Sequence, residues 1–290
     1  MNPFLDFPFT LPINLTAIDE AVRSFSAAHG NFFDVIKNGL TALVTGINSL
    51  LNFIPWWLLI LGVLLLGWKA TKKLKKGILY AALLFLVGLT GLWDLMNETL
   101  AIVIASVIIS LVLGFPIGIL ISGSNRAERI VRPILDAMQT MPVFVYLIPA
   151  MLFFGLGKAP AVIATTIYAI VPMIRLTSHG IRQVDKEVVE AARSFGSTKL
   201  QALIKVQIPQ AMPTIMQGVN QTLMMAMAMV VTCSMIGASG LGMEVLIGIQ
   251  RVQIGRGLVA GTAVVILAIL MDRLTQGWMK KEEVNSDAGK

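Results

Sequence analysis

The chain has 290 residues, of which 56% are hydrophobic and only 13% charged, and its mean hydropathy is +0.79. A soluble domain of this length cannot hide that much apolar surface, so a bilayer has to supply most of the solvent. The formal net charge of +7 would suit nucleic acid in a soluble protein, but in a membrane protein its meaning depends on which loops carry it.

The N-terminal residues hold Phe, Pro, Asp and Asn and lack a basic start followed by an apolar stretch, so no cleavable signal peptide is expected. Within an external region 1–54, Ile36, Leu40, Leu43, Ile47, Leu50 and Ile54 recur at helical spacing. Asn38, Thr41, Thr45, Asn48 and Asn52 recur on the opposite side. This predicts an amphipathic helix on the outer interface, which either senses lipid or packs on the outer ends of the spans.

Apolar stretches follow at 55–68, 77–93, 97–121, 134–155, 159–178, 213–238 and 257–278. Set against the roughly 20 residues a helix needs to cross hydrocarbon, these predict seven spans. Lipid leaves backbone groups no partner outside a helix, and nothing alternates as barrel strands do, so the fold class is an all-α integral membrane protein, a multi-span helical bundle. The first two spans (55–93) read as accessory helices and the remaining five (97–278) as a core, with a tail at 279–290. Trp56, Trp57, Trp68, Trp93 and Trp278 all fall at span ends, where indole rings anchor in the interface; an aromatic cage for a cation is the other use of such rings.

Lys69, Lys72, Lys73, Lys75 and Lys76 fill the first connection, and Arg126, Arg129 and Arg132 the third. Arg182, Lys186, Arg193, Lys199 and Lys205 fill the fifth, and Lys280 and Lys281 follow the last span. These loops belong inside, which puts the N-terminus outside and the C-terminus in the cytoplasm. Only the connection carrying Glu244, Arg251 and Arg256 departs from the rule.

The long fifth connection, 181–212, reads as two short helices. The first runs from Asp185 to Phe195, Gly196 takes a left-handed cap, Ser197 starts the second helix and Pro209 stops it. A helix pair outside the membrane, apolar on one side, has to dock on something. Inside the spans, Gln139, Thr140, Asn220, Gln221 and Thr222 are either pathway-lining groups or helix-to-helix hydrogen-bonding groups. Asp136 beside Arg132 and Asp272 beside Arg273 read as structural pairs. The methionines at 224, 225, 227 and 229 suit either ordinary packing or an interface that must repack.

Glu190-Ala191-Ala192, three residues, Gly196, nine residues, then Val206-Gln207-Ile208-Pro209 resembles the cytoplasmic EAA loop of permease subunits in ABC importers. Val206 and Ile208 stand where that family usually has Ile and Leu. The stretches 132–142, 210–216, 218–223 and 269–276 resemble the glycine betaine/proline betaine permeases of bacterial osmoprotection systems. The resemblance implies a type I ABC importer permease bundle in the bacterial cytoplasmic membrane, working as a homodimer. It also implies two ATPase subunits that hold ATP and Mg, and an extracellular or lipid-anchored substrate-binding protein. By the same resemblance, Glu190, Ala191, Ala192, Gly196 and Pro209 are the ATPase-coupling positions. The chain itself is then a transporter subunit with no catalytic residue, cofactor or metal of its own.

Other classes fit less well. Gly155-Leu156-Gly157-Lys158 looks like part of a phosphate loop but lacks the leading Gly and has Ala159 where Ser or Thr would bind magnesium. The paired short helices resemble a helix-turn-helix, yet their tethers to two spans leave no freedom to enter a groove, so nucleic acid is not an expected partner. His29, His179 and the single Cys233 are far apart, which disfavours a metal site, and one cysteine forms no intrachain disulfide. The remaining alternative is an ion-gradient-driven secondary transporter or channel, which would place ionisable groups near the midplane.

Overall fold

A computed structural model describes residues 14–287, with side chains described through Gly277. Asp6, Trp278, Lys280, Lys281 and the tail side chains of 279–290 lie outside that description. All regular elements among the described residues are helical. In chain order they are α1 (Leu15–Ala28), α2 (Gly30–Phe53), α3 (Trp56–Thr71), α4 (Leu74–Leu89), α5 (Trp93–Ser122), α6 (Asn125–Thr140) and α7 (Phe144–Phe154). Then come α8 (Lys158–Arg182), α9 (Lys186–Ser194), α10 (Lys199–Ala202), a π-helical turn (Leu203–Gln207), α11 (Ile208–Ser234), α12 (Leu241–Gln250) and α13 (Ile254–Asp287).

Among the described residues four helices are long and apolar enough to cross a membrane: α5, α8, the continuous run Lys199–Ser234, and α13 over Ile254–Gly277. Burial ranks them. The apolar window of α8 is 72% buried and that of α13 only 28%, so α8 is the central post and α13 lies at the edge. Small residues bring the posts close. A Cβ on Gly118 of α5 would sit 2.6 Å from Thr177 of α8, and one on Gly180 of α8 would sit 2.9 Å from Thr214 of α11. Hydrophobic driving force is absent between helices in lipid, so such close approach is how they adhere.

The expected span at 134–155 is broken. α6 and α7 meet at 91°, because Pro142 disfavours helical geometry at Met141, which is extended (φ −66°, ψ 130°). α6 is also amphipathic, with Arg126, Arg129 and Arg132 exposed, and only Leu135 is fully buried. α7, with 11 residues, rises about 16 Å, roughly half the hydrocarbon thickness. A second bend, of 93°, separates α2 from α3 at Pro55. α3 and α4 have 16 residues each, or about 24 Å, and form a hairpin whose turn carries the lysines 69–76.

α2 matches the expected amphipathic helix but uses its faces differently. Val44 is fully buried, with Leu40 and Ile47 packed beside it against α5 and α8, whereas Leu50 is 61% exposed. Asn52, on the expected polar side, accepts from Asn97 Nδ2 of α5 at 2.7 Å. The connection between α11 and α13 contains α12, whose first backbone amide, at Leu241, donates to Thr99 Oγ1 of α5 at 2.8 Å.

Candidate functional site

At the end of the bundle where α8 finishes, Arg182 fixes the base of the long connection. Its guanidinium donates to Asn125 Oδ1 (2.7 Å) and the Ile121 carbonyl (3.1 Å), and it pairs with Glu128 at 3.0 Å. The loop therefore begins from a point tied to α5 and α6. Asp185 caps α9, its carboxylate accepting from the Glu187 amide at 2.9 Å.

α9 ends with the amides of Phe195, Gly196 and Ser197 donating to the carbonyls of Ala191, Arg193 and Ala192 at 2.9–3.1 Å. Gly196 holds φ at +86°, the left-handed cap its position predicts. The second helix starts at Thr198 and not at Ser197, because Thr198 and Gln201 form a reciprocal capping box. Pro209 does not stop that helix. The π turn widens the backbone just before it, with the Ile208 amide bonding Leu203 O. That wider turn accommodates a proline ring that would otherwise press on the carbonyl four residues back. The second helix of the long connection thus runs without a break into the membrane helix.

Glu190, Ala191, Gly196 and Pro209 are exposed, and Ala192 is partly buried. Val189 turns inward, while Val188, Leu200 and Ile204 are exposed and Phe195 is 91% exposed. An outward phenylalanine and exposed aliphatic side chains on a doubly capped loop leave apolar area uncovered by the described residues.

The polar span residues separate onto different faces. Gln139 and Thr140 lie exposed at the end of α6, Thr140 Oγ1 donating to the Asp136 carbonyl at 3.0 Å. On α11, Asn220 Nδ2 donates to Asp272 of α13 at 2.8 Å, and Thr222 is fully buried with no partner for its hydroxyl. Gln221 is exposed at the midpoint of α11, on one stripe with Gln210, Gln217 and Met224. Successive helical residues point about 100° apart, which is why three adjacent polar residues meet three environments. A glutamine at mid-helix is costly against lipid, so the Gln217–Gln221 stripe belongs against water or protein.

Asp136 pairs with Arg175 of α8 at 2.6 Å, and not with Arg132. Both side chains are about half exposed beside a cleft of about 340 Å³ between α6 and α8 that Arg132 and His179 also line. Sequence reasoning passed over Arg175, although a lone charge inside the apolar stretch 159–178 was the available signal. Asp272 is held by Asn220 and Gln276, with Arg273 no nearer than 3.8 Å.

At the opposite end Lys158 pairs with Glu98 at 2.8 Å. Arg256 donates to both carboxylate oxygens of Glu244, at 2.5 and 2.9 Å, so one of the two basic residues in the connection that departed from the loop-charge rule is neutralised locally. That hydrogen bond, aided by the Arg256 charge and opposed by partial burial, holds the Glu244 carboxyl below its ordinary value. Among the described residues no group of three or more His, Cys, Asp or Glu is placed to hold a metal.

Residues 110–280 match the family model described as the binding-protein-dependent transport system inner membrane component. The chain is 47% identical over 272 residues to the glycine betaine transport system permease protein OpuAB of Bacillus subtilis (strain 168), covering 93% of this chain and 96% of that one. It is 46% identical over 279 residues to the glycine betaine/carnitine transport permease protein GbuB of Listeria monocytogenes serotype 1/2a (strain 10403S), covering 94% and 97%. Among solved structures, an inward-facing methionine ABC transporter, MetNI, is similar with a TM-score of 0.54 and 26% identity, over 63% of this chain and 90% of that one.

Proposed function

That the chain belongs to the family of binding-protein-dependent transport system inner membrane components is the premise from which we propose that it is the membrane-spanning permease subunit of an ATP-driven importer of glycine betaine and related betaines. The names of its relatives support the solute class. The observation that carries the coupling role is the apolar surface around Phe195, built on a loop that is pinned at Arg182, capped at Gly196 and continuous with α11. A load applied to α9 is transmitted through α10 and the π turn into the membrane, which is the mechanical property a coupling element needs.

In this reading the ATPase binds the loop from the cytoplasm through Glu190, Ala191, Ala192, Gly196 and Pro209 together with Phe195. A second copy of the chain faces the Gln217–Gln221 stripe across a wet pathway, and an external binding protein delivers the solute at the Glu98 and Glu244 end. ATP binding closes the ATPases, the docked loops follow, and the pathway changes the side to which it opens. The half-exposed Asp136–Arg175 pair is the one feature that favours an ion-driven carrier. Its Asp136 lies on the amphipathic α6 and its Arg175 in the loop-side half of α8, whereas such carriers place their coupling groups near the midplane.

Thiol cross-linking tests the docking surface. The single native cysteine, Cys233, is buried, so Ala191→Cys places one accessible thiol on α9. Labelled there with benzophenone-4-maleimide and irradiated in complex with its ATPase, that variant is expected to give a permease–ATPase product that Phe195→Asp abolishes. A thiol equally reactive with and without the ATPase, giving no product, contradicts the docking role.

A further inference from the structure

A cavity of about 530 Å³ lies where the chain bends from α2 into α3, closed by the end of α4 and the start of α5. Trp56, Phe85, Trp93 and Asp94 line it, and no lysine or arginine does. All of its lining residues precede residue 110, where the match to the transport family begins. It sits at the Trp93 end of α5, whereas the Ser122 end abuts Arg182 at the coupling loop. The 30 residues of α5 therefore separate cavity and loop by about 45 Å.

We propose that this cavity binds the alkylated ammonium group of a small solute reaching it from the face opposite the coupling loop. Aromatic faces attract cations, indole most strongly, within roughly 6 Å of the ring centre. The Trp56 and Phe85 rings have centroids 6.4 Å apart and tilt 43° to one another, forming two walls of one corner. Trp93 is held against α4, since a Cβ on Gly88 would lie 3.4 Å from its Cε3. The ring is in place before anything binds. Asp94 supplies the opposite charge and has no ion-pair partner among the described residues.

Anchoring in the interface accounts for tryptophans at span ends, and the α5 dipole for an acid in its first turn. Neither accounts for both lining one open, cation-free cavity. A methylated ammonium suits it because its charge is wrapped in apolar surface, so it sheds water against rings at low cost. A sodium ion would keep its hydration shell. The inference does not rest on the transport reading: it concerns binding by this chain alone, without ATPase or binding protein, so its failure leaves that reading untouched.

The test is intrinsic tryptophan fluorescence of the purified chain in phosphatidylglycerol nanodiscs. It is titrated with tetramethylammonium chloride and with choline, against sodium chloride at equal ionic strength and the neutral choline isostere 3,3-dimethylbutan-1-ol. A saturable change is expected with the two organic cations and with neither control. Trp56→Phe and Asp94→Asn each raise the apparent Kd by roughly three-fold or more, while Trp68→Phe, at the other end of α3, leaves it unchanged. Absence of saturation, an equal response to the neutral isostere, or wild-type binding in both cavity variants overturns the proposal. So does a response lost in phosphatidylcholine discs, which assigns the cavity to a lipid headgroup; an equal response in both lipids supports the free solute.

Discussion

Gly196 holds φ at +86° with open space around its Cα, so its requirement is backbone conformation and not room. Gly196→Ala is expected to cost about 1–2 kcal/mol locally and to weaken retention of the ATPase on an affinity-tagged permease, while the melting temperature of the solubilised permease barely moves. An equal loss of both would make the glycine a folding residue only. Glu244 carries a different signature. Its carboxyl is held below the ordinary 4.5, chiefly by the Arg256 hydrogen bond. A carboxyl with a lowered folded-state pKa contributes stability that is fully present above its unfolded value and lost as pH falls through the folded one. The difference in melting temperature between wild type and Glu244→Gln is therefore expected to be constant near neutral pH and to shrink below 4.5; a gap that persists in acid contradicts the ion pair. Gly196 was legible because a glycine closing an amphipathic turn has few other uses. The Arg256–Glu244 and Arg175–Asp136 pairs were not, because which helices lie side by side decides them.

The helices repeat this division. The amphipathic pattern of α2 was plain, but Leu40, Val44 and Ile47 fit one face and Leu43 and Leu50 an adjacent one, and spacing alone does not say which turns inward. With Val44 fully buried against α5 and α8, Val44→Asp places a charge in an apolar contact at a cost of several kcal/mol. It is expected to free α2 for proteolysis in proteoliposomes, whereas Leu50→Asp leaves the helix protected. The opposite ranking would make α2 a lipid-bound helix. The break between α6 and α7 was readable in Pro142 and in the arginines before it, and a hydropathy window simply averaged over them. The continuation past Pro209 was not readable, since a proline after a short helix ordinarily ends it and the π turn that absorbs it has no sequence mark. Thr198, with Gln201 three residues on, was a visible capping box that Ser197 obscured.

At the scale of the molecule, composition demanded a bilayer and the basic loops ordered the spans, while the coupling loop stood out as a helix pair with nothing of its own chain to cover it. The pathway was harder, because of the candidate polar residues only Gln221 stays on the open face of α11 while Asn220 and Thr222 turn into the bundle. On this reading the chain moves solute only when its loop is driven by a separate ATPase. Glycine betaine uptake and ATP hydrolysis, measured together in proteoliposomes holding the chain with its ATPase and binding protein, test it most directly. Both are expected to require all three proteins and to fall together in Glu190→Ala and Gly196→Pro. Uptake by this chain alone down an ion gradient, indifferent to those two substitutions, would contradict the account.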